Sequence, residues 1–143
     1  MSKSNRHIAR CMALQAIYSE KLNPQGIKLA KQYLSSSNEK MYKVADGELL
    51  DFILNHGLDH FDEMLELYKP YLSRDIEDIN LIEKSILVIA AVEFKFNLSV
   101  PAVVIINEAV ELSKTYGSND SHKFVNSLVD KLGLQLRKSE FSK

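Results

Sequence analysis

The chain has 143 residues, of which 45% are hydrophobic and 26% charged, and its formal net charge is −1. A chain of this length suits one domain, burying about 70% of the surface that it exposes when unfolded. The composition is that of an ordinary soluble globular protein: three prolines and five glycines argue against disorder, and a net charge near zero gives no global sign of nucleic acid.

The first predicted helix runs from about Ser4 to Leu22. Ile8, Cys11, Met12, Leu14, Tyr18 and Leu22 form one broad apolar face, and Ala9, Ala13, Ala16 and Ile17 extend it. A helix apolar almost all round is buried among others. Its first turns differ, because Lys3, Arg6 and Arg10 fall at i, i+3 and i+7 with His7 beside them. Pro24 suits the first turn of a second helix that ends near Ser35. A third begins near Val44 and runs toward Tyr68, with Gly57 as a bend and Pro70 as its end. A short helical turn covers Arg74 to Ile79.

The next long helix spans Asn80 to Phe96, with Leu81, Ile82, Ile86, Ile89, Ala90 and Phe94 inward. Val103 to Ile106 is the one β-branched run, yet it leads into helical spacing and reads as a buried helix start. The last two helices span Pro101 to Tyr116 and Asp120 to Leu136. Gly117 is placed to end the first, and Ser118, Asn119 and Asp120 supply caps for the second. The expected fold is all-α: a single compact domain over residues 1–143, with about six to seven helices in two packed layers.

Cys11, the single cysteine, cannot form an internal disulfide and reads as a buried reduced thiol, as in a cytoplasmic protein. The basic N-terminus is not followed by an apolar signal-peptide core. The most apolar stretch, Ile86 to Val92, is far too short to span a bilayer. The spacing of His56 and His60 permits a metal ligand pair, but no motif completes it, so no metal is expected. No glycine-rich phosphate loop and no nucleophile elbow is present in the sequence, and Glu108 and Glu111 beside Lys114 read as a solvated face. No enzyme and no cofactor is expected.

Three patterns carry the functional reading. Lys3, Arg6, His7 and Arg10 make a basic stripe, and guanidinium groups pair with phosphates and stack on unpaired bases. The alternative is a solvated, frayed helix end. Asp120-Ser121-His122-Lys123-Phe124-Val125-Asn126 opens the last helix, offering Lys123 to a phosphate and Phe124 to a base. The alternative is a cap followed by core. Asp75, Glu77, Asp78 and Glu83 beside Tyr71 suit a basic protein partner, or else form a solvated face.

Ala9-Arg10 with Ala13-Leu14-Gln15-Ala16-Ile17-Tyr18-Ser19, then Lys69-Pro70-Tyr71-Leu72-Ser73-Arg74, then the string from Asp120 to Asn126 occur in that order. Together they resemble the NusB family of bacterial transcription antitermination factors. The resemblance covers nearly the whole chain and leaves Gln25 to Lys43 nondescript. It implies single-stranded boxA RNA of nascent ribosomal transcripts as one ligand, bound through Lys3, Arg6, His7, Arg10, Gln15, Tyr18, Lys123, Phe124 and Asn126. It implies the ribosomal protein NusE as a second partner, bound through Tyr71, Glu77 and Glu83. Other Nus factors and RNA polymerase would follow indirectly, in the cytoplasm, with the chain as monomer or homodimer. The arm has two arginines, with His7 and Ile8 where relatives often carry more. A protein-interaction scaffold without RNA is the alternative. The same kind of helical domain occurs fused to ribosomal RNA cytosine methyltransferases, so a remnant of such an accessory domain is a further alternative; a stand-alone methyltransferase is not expected, since 143 residues leave no room for a cofactor-binding α/β domain as well.

Overall fold

The computed structural model describes residues 4–141. These residues form eight α-helices and three short 3-10 turns, with no strand among them. The chain divides into two compact units, one ending at Asp59 and the other beginning at His60.

The first unit holds α1 (Asn5–Leu22), α2 (Ile27–Ser37), α3 (Glu39–Val44) and α4 (Gly47–Asp59). Ser4 caps α1, its hydroxyl accepting the His7 N–H at 3.0 Å. The central face of α1 is buried, from Ile8 through Ile17, and packs on α2, α3 and α4. The second helix starts three residues later than Pro24 alone indicates. The Glu20 carboxylate accepts the N–H groups of Gln25 and Gly26 and holds Pro24 in a loop. Gly26 takes a φ of 98°, which favours glycine. Lys31 Nζ then reaches Asp51 at 2.6 Å and ties α2 to α4; the hydrogen bond raises the lysine pKa.

The expected helix from Val44 to Tyr68 is in fact interrupted twice. Asp46 breaks it first: its side chain accepts the Leu49 N–H at 3.0 Å and so caps α4, while its own N–H donates to the Asn5 carbonyl. The second break falls at His60, whose φ of −122° leaves helical geometry, and not at Gly57, which stays helical and buried.

The second unit holds α5 (Phe61–Glu66), α6 (Leu81–Phe96), α7 (Ala102–Tyr116) and α8 (Ser121–Leu136). The 3-10 turns are Lys69–Tyr71, Ile76–Asp78 and Lys138–Glu140. Asn80 caps α6 through its side chain, which accepts the Glu83 N–H at 2.8 Å. From Ser85 to Phe94 every residue of α6 is buried, against α5, α7 and α8. Tyr68 is fully buried and donates its hydroxyl to the Leu87 carbonyl at 2.7 Å; burial pushes its pKa well up. The start of α7 is less buried than its β-branched run indicates. Ile105 faces the core, but Val103 and Val104 are exposed.

The end of α6 and the loop after it leave carbonyl oxygens with accepting capacity to spare, and the start of α7 leaves amides without helical partners. Arg137, just past α8, supplies donors to the carbonyls. It is 5% exposed and donates to the carbonyls of Glu93, Phe94, Asn97 and Val100 at 2.7–3.0 Å. Its charge is met by Glu140, whose carboxylate also accepts the Ala102 N–H at 2.7 Å. Glu140 thereby caps α7, where Pro101 offers no side-chain oxygen, and its negative charge faces the positive helix end.

Replacing Arg137 by Met leaves four carbonyls without these donors and Glu140 without its cation. The expected loss is about 3–5 kcal/mol, measured by urea unfolding. The bonds from Ala102 and then Arg137 lower the Glu140 pKa. Its contribution is therefore present above the ordinary glutamate range and fades as pH falls through the lowered value. Glu140→Gln is expected to flatten that acid limb, read as the dependence of the urea midpoint on pH.

Candidate nucleic-acid interface

In the first unit the expected basic stripe divides. Lys3 lies outside the described residues. Arg6 is exposed, and its Nε sits 3.9 Å from Asp46 Oδ2. Arg10 departs from the expectation of a solvent-facing arm: it is only 3% exposed. It lies on the side of α1 that carries Ala13 and Ile17, both buried. What α1 presents to solvent is a different line. His7, Cys11, Gln15, Tyr18 and Leu22 follow each other at steps of three or four, each at least partly exposed. Cys11 is half-buried on this line rather than buried, with its Sγ 3.4 Å from His7 Nε2. Gln15 and Tyr18, taken from the resemblance, therefore share a face that Arg10 does not.

In the second unit the start of α8 is built around Ser121, which is 1% exposed. Asp120 makes no side-chain cap. Ser121 Oγ instead accepts the Ser118 N–H at 3.1 Å and donates to Glu83 Oε2 at 2.8 Å. Gly117 is required by closeness, not by a left-handed turn. Its φ is −89°, and a Cβ there would lie 2.6 Å from Ser121 Cβ and 2.7 Å from the Ser113 carbonyl oxygen. Lys123 and Asn126 are exposed one turn apart, and Phe124 is half-buried. Lys123 and Asn126 share one face of α8, and Phe124 flanks Lys123 on the other side.

The acidic group also divides. Glu77 and its neighbours Asp75 and Asp78 are exposed, and Tyr71 is half-buried at the end of its 3-10 turn. A cleft of about 410 Å³ runs beside them, lined by Glu66, Lys69, Leu72, Ser73, Arg74, Asp75, Ile76 and Glu77. Glu83 departs from the expectation of a partner-facing carboxylate. It is 6% exposed, with one oxygen held by Ser121 and the other 3.5 Å from Arg74 Nη2.

Arg74 is the residue that sequence reasoning passed over. Its Cζ lies 4.1 Å from the centroid of the Phe124 ring. The Ser73-Arg74 end of the Lys-Pro-Tyr-Leu-Ser-Arg string was the available signal, but fifty residues separate it from Phe124. Among the described residues no three His, Cys, Asp or Glu side chains gather as a metal site, and no helix is long and apolar enough to cross a membrane.

With eight α-helices and no strand among the described residues, the chain is an all-α protein. The NusB family model matches residues 7–133. A transcription antitermination protein NusB from Aromatoleum aromaticum is 39% identical over 141 residues, 99% of this chain and 96% of that one. The protein of the same name from Alteromonas mediterranea is 40% identical over 140 residues, covering 98% and 99%. The solved structure of T. maritima NusB superposes with a TM-score of 0.75 at 20% identity, covering 99% of both chains, and shares the fold. The chain belongs to the NusB family of transcription antitermination factors.

Gly117→Ala is expected to displace Ser121 from Glu83 and to cost about 1–3 kcal/mol, read as a lower midpoint in urea. A Ser121→Ala change removes the bond without the clash and should cost less.

Proposed function

We propose that this chain is a non-enzymatic adaptor of transcription antitermination that, with NusE, holds the boxA element of nascent ribosomal RNA. On this reading residues 1–143 act as a single RNA-binding domain, and other Nus factors and RNA polymerase are reached through the complex. The observation that carries it is the first turns of α8, where exposed Lys123 stands between the half-buried ring of Phe124 and the exposed amide of Asn126 around the helix. Such a group suits an unpaired base with its phosphate. Arg6, His7, Gln15 and Tyr18 of α1 are proposed as the second RNA-facing group. Tyr71 and Glu77 are proposed to meet the basic NusE, with Asp75 and Asp78 steering its approach. Tethering both partners raises the effective concentration of each contact.

The burial of Arg10 favours one competing reading, a scaffold that binds proteins and no RNA. Salt separates the two, because phosphate contacts release counterions and protein docking through a few rim charges does so far less.

The deciding experiment is fluorescence anisotropy of labelled boxA RNA against a scrambled RNA, with and without NusE. Preferential binding to boxA that tightens with NusE is expected. Phe124→Ala should weaken it by about 1–3 kcal/mol, the worth of one stacked base, without changing NusE binding. Equal binding of both RNAs with NusE present would favour the scaffold.

A further inference from the structure

Resting on that RNA reading, we propose that Arg74 is itself an RNA-binding residue, stacked on Phe124 to make a composite platform for a base and its phosphate, with Glu83 as its positioning residue. Arg74 belongs to the loop between two 3-10 turns, and its side chain is 42% exposed. An exposed arginine in a loop samples many rotamers, and ordering it costs entropy. Two anchors restrict this one: the Phe124 ring 4.1 Å from its Cζ, and Glu83 Oε1 3.5 Å from its Nη2.

Glu83 is well fixed for the task. Its N–H donates to the Asn80 side chain at 2.8 Å, and its second oxygen accepts from Ser121 Oγ at 2.8 Å. A buried carboxylate needs a cation to offset its lost hydration, and Arg74 provides one from the solvent side. The acid thus draws the cation to the first turn of α8, where Lys123 is also exposed. A guanidinium over a ring retains N–H donors for a phosphate and offers its own plane to a base. Arg74 also lines the cleft that carries Asp75 and Glu77, so it borders both the RNA edge and the acidic rim.

The test is anisotropy of labelled boxA RNA, with NusE, across a salt series, using the full chain and the variants Arg74→Ala, Arg74→Lys, Glu83→Gln and Phe124→Ala. Arg74→Ala should weaken binding about tenfold, the effect of one stacked cation, and lower the slope of log K against log salt by about 0.7, one phosphate contact on a single strand. Arg74→Lys keeps the charge, so it should keep the slope while losing affinity; it also retains a cation for Glu83 if the alanine variant melts early. Glu83→Gln should weaken binding about threefold in the unaltered chain and not at all in the Arg74→Ala background. An equal loss in both backgrounds overturns the positioning role. Unchanged affinity and slope in Arg74→Ala, beside a loss in Phe124→Ala, overturns the role of Arg74 and leaves the RNA reading intact. No boxA preference by the unaltered chain overturns both.

Discussion

Arg137 sets its guanidinium among the carbonyls of Glu93, Phe94, Asn97 and Val100, and the second unit is arranged around that contact. Helix ends are costly places to bury, because their carbonyls and amides have lost water and have no partner of their own. Here one cation serves the end of α6 and the loop after it. The carboxylate that neutralises that cation serves the start of α7. With the far end of α8 locked in this way, α6, α7 and α8 have a fixed mutual register. The near end of α8 can then present a defined edge to solvent.

That near end repeats the same economy with opposite sign. Glu83 is the buried charge, Arg74 its exposed counterion, and Ser121 the hydroxyl that completes it. Burial of the acid determines where the arginine lies, and the arginine covers the ring of Phe124. A residue that looks like part of an acidic docking face in the sequence therefore organises the basic edge instead. The exposed carboxylates Asp75 and Glu77 line a polar cleft together with Arg74. Charges of both signs then stand close together without cancelling, because the buried acid is matched and the exposed ones face water.

Helix α1 shows the same dependence on burial. Its arginines have the spacing of one stripe, but Arg6, in the first turn, is exposed and Arg10, one turn later, is buried. The line left to solvent is His7, Cys11, Gln15 and Tyr18. Two of these, Gln15 and Tyr18, came from motif resemblance rather than from charge.

Much of the fold was legible in the residues. The apolar run of α6 and the order of α6, α7 and α8 follow from local periodicity, which acts within a few residues. The breaks at Asp46 and His60 were not legible, since a cap forms only when it wins against a continuing helix, and packing decides that contest. The buried positions of Arg10, Glu83 and Arg137 were equally hidden. By itself the sequence determined the all-α class, the order of the longer helices and the family to which the chain belongs, because those depend on neighbours in the chain. Only the tertiary structure decided which charges lie inside and that Arg74 covers Phe124, because burial and pairing across about fifty residues depend on how helices meet.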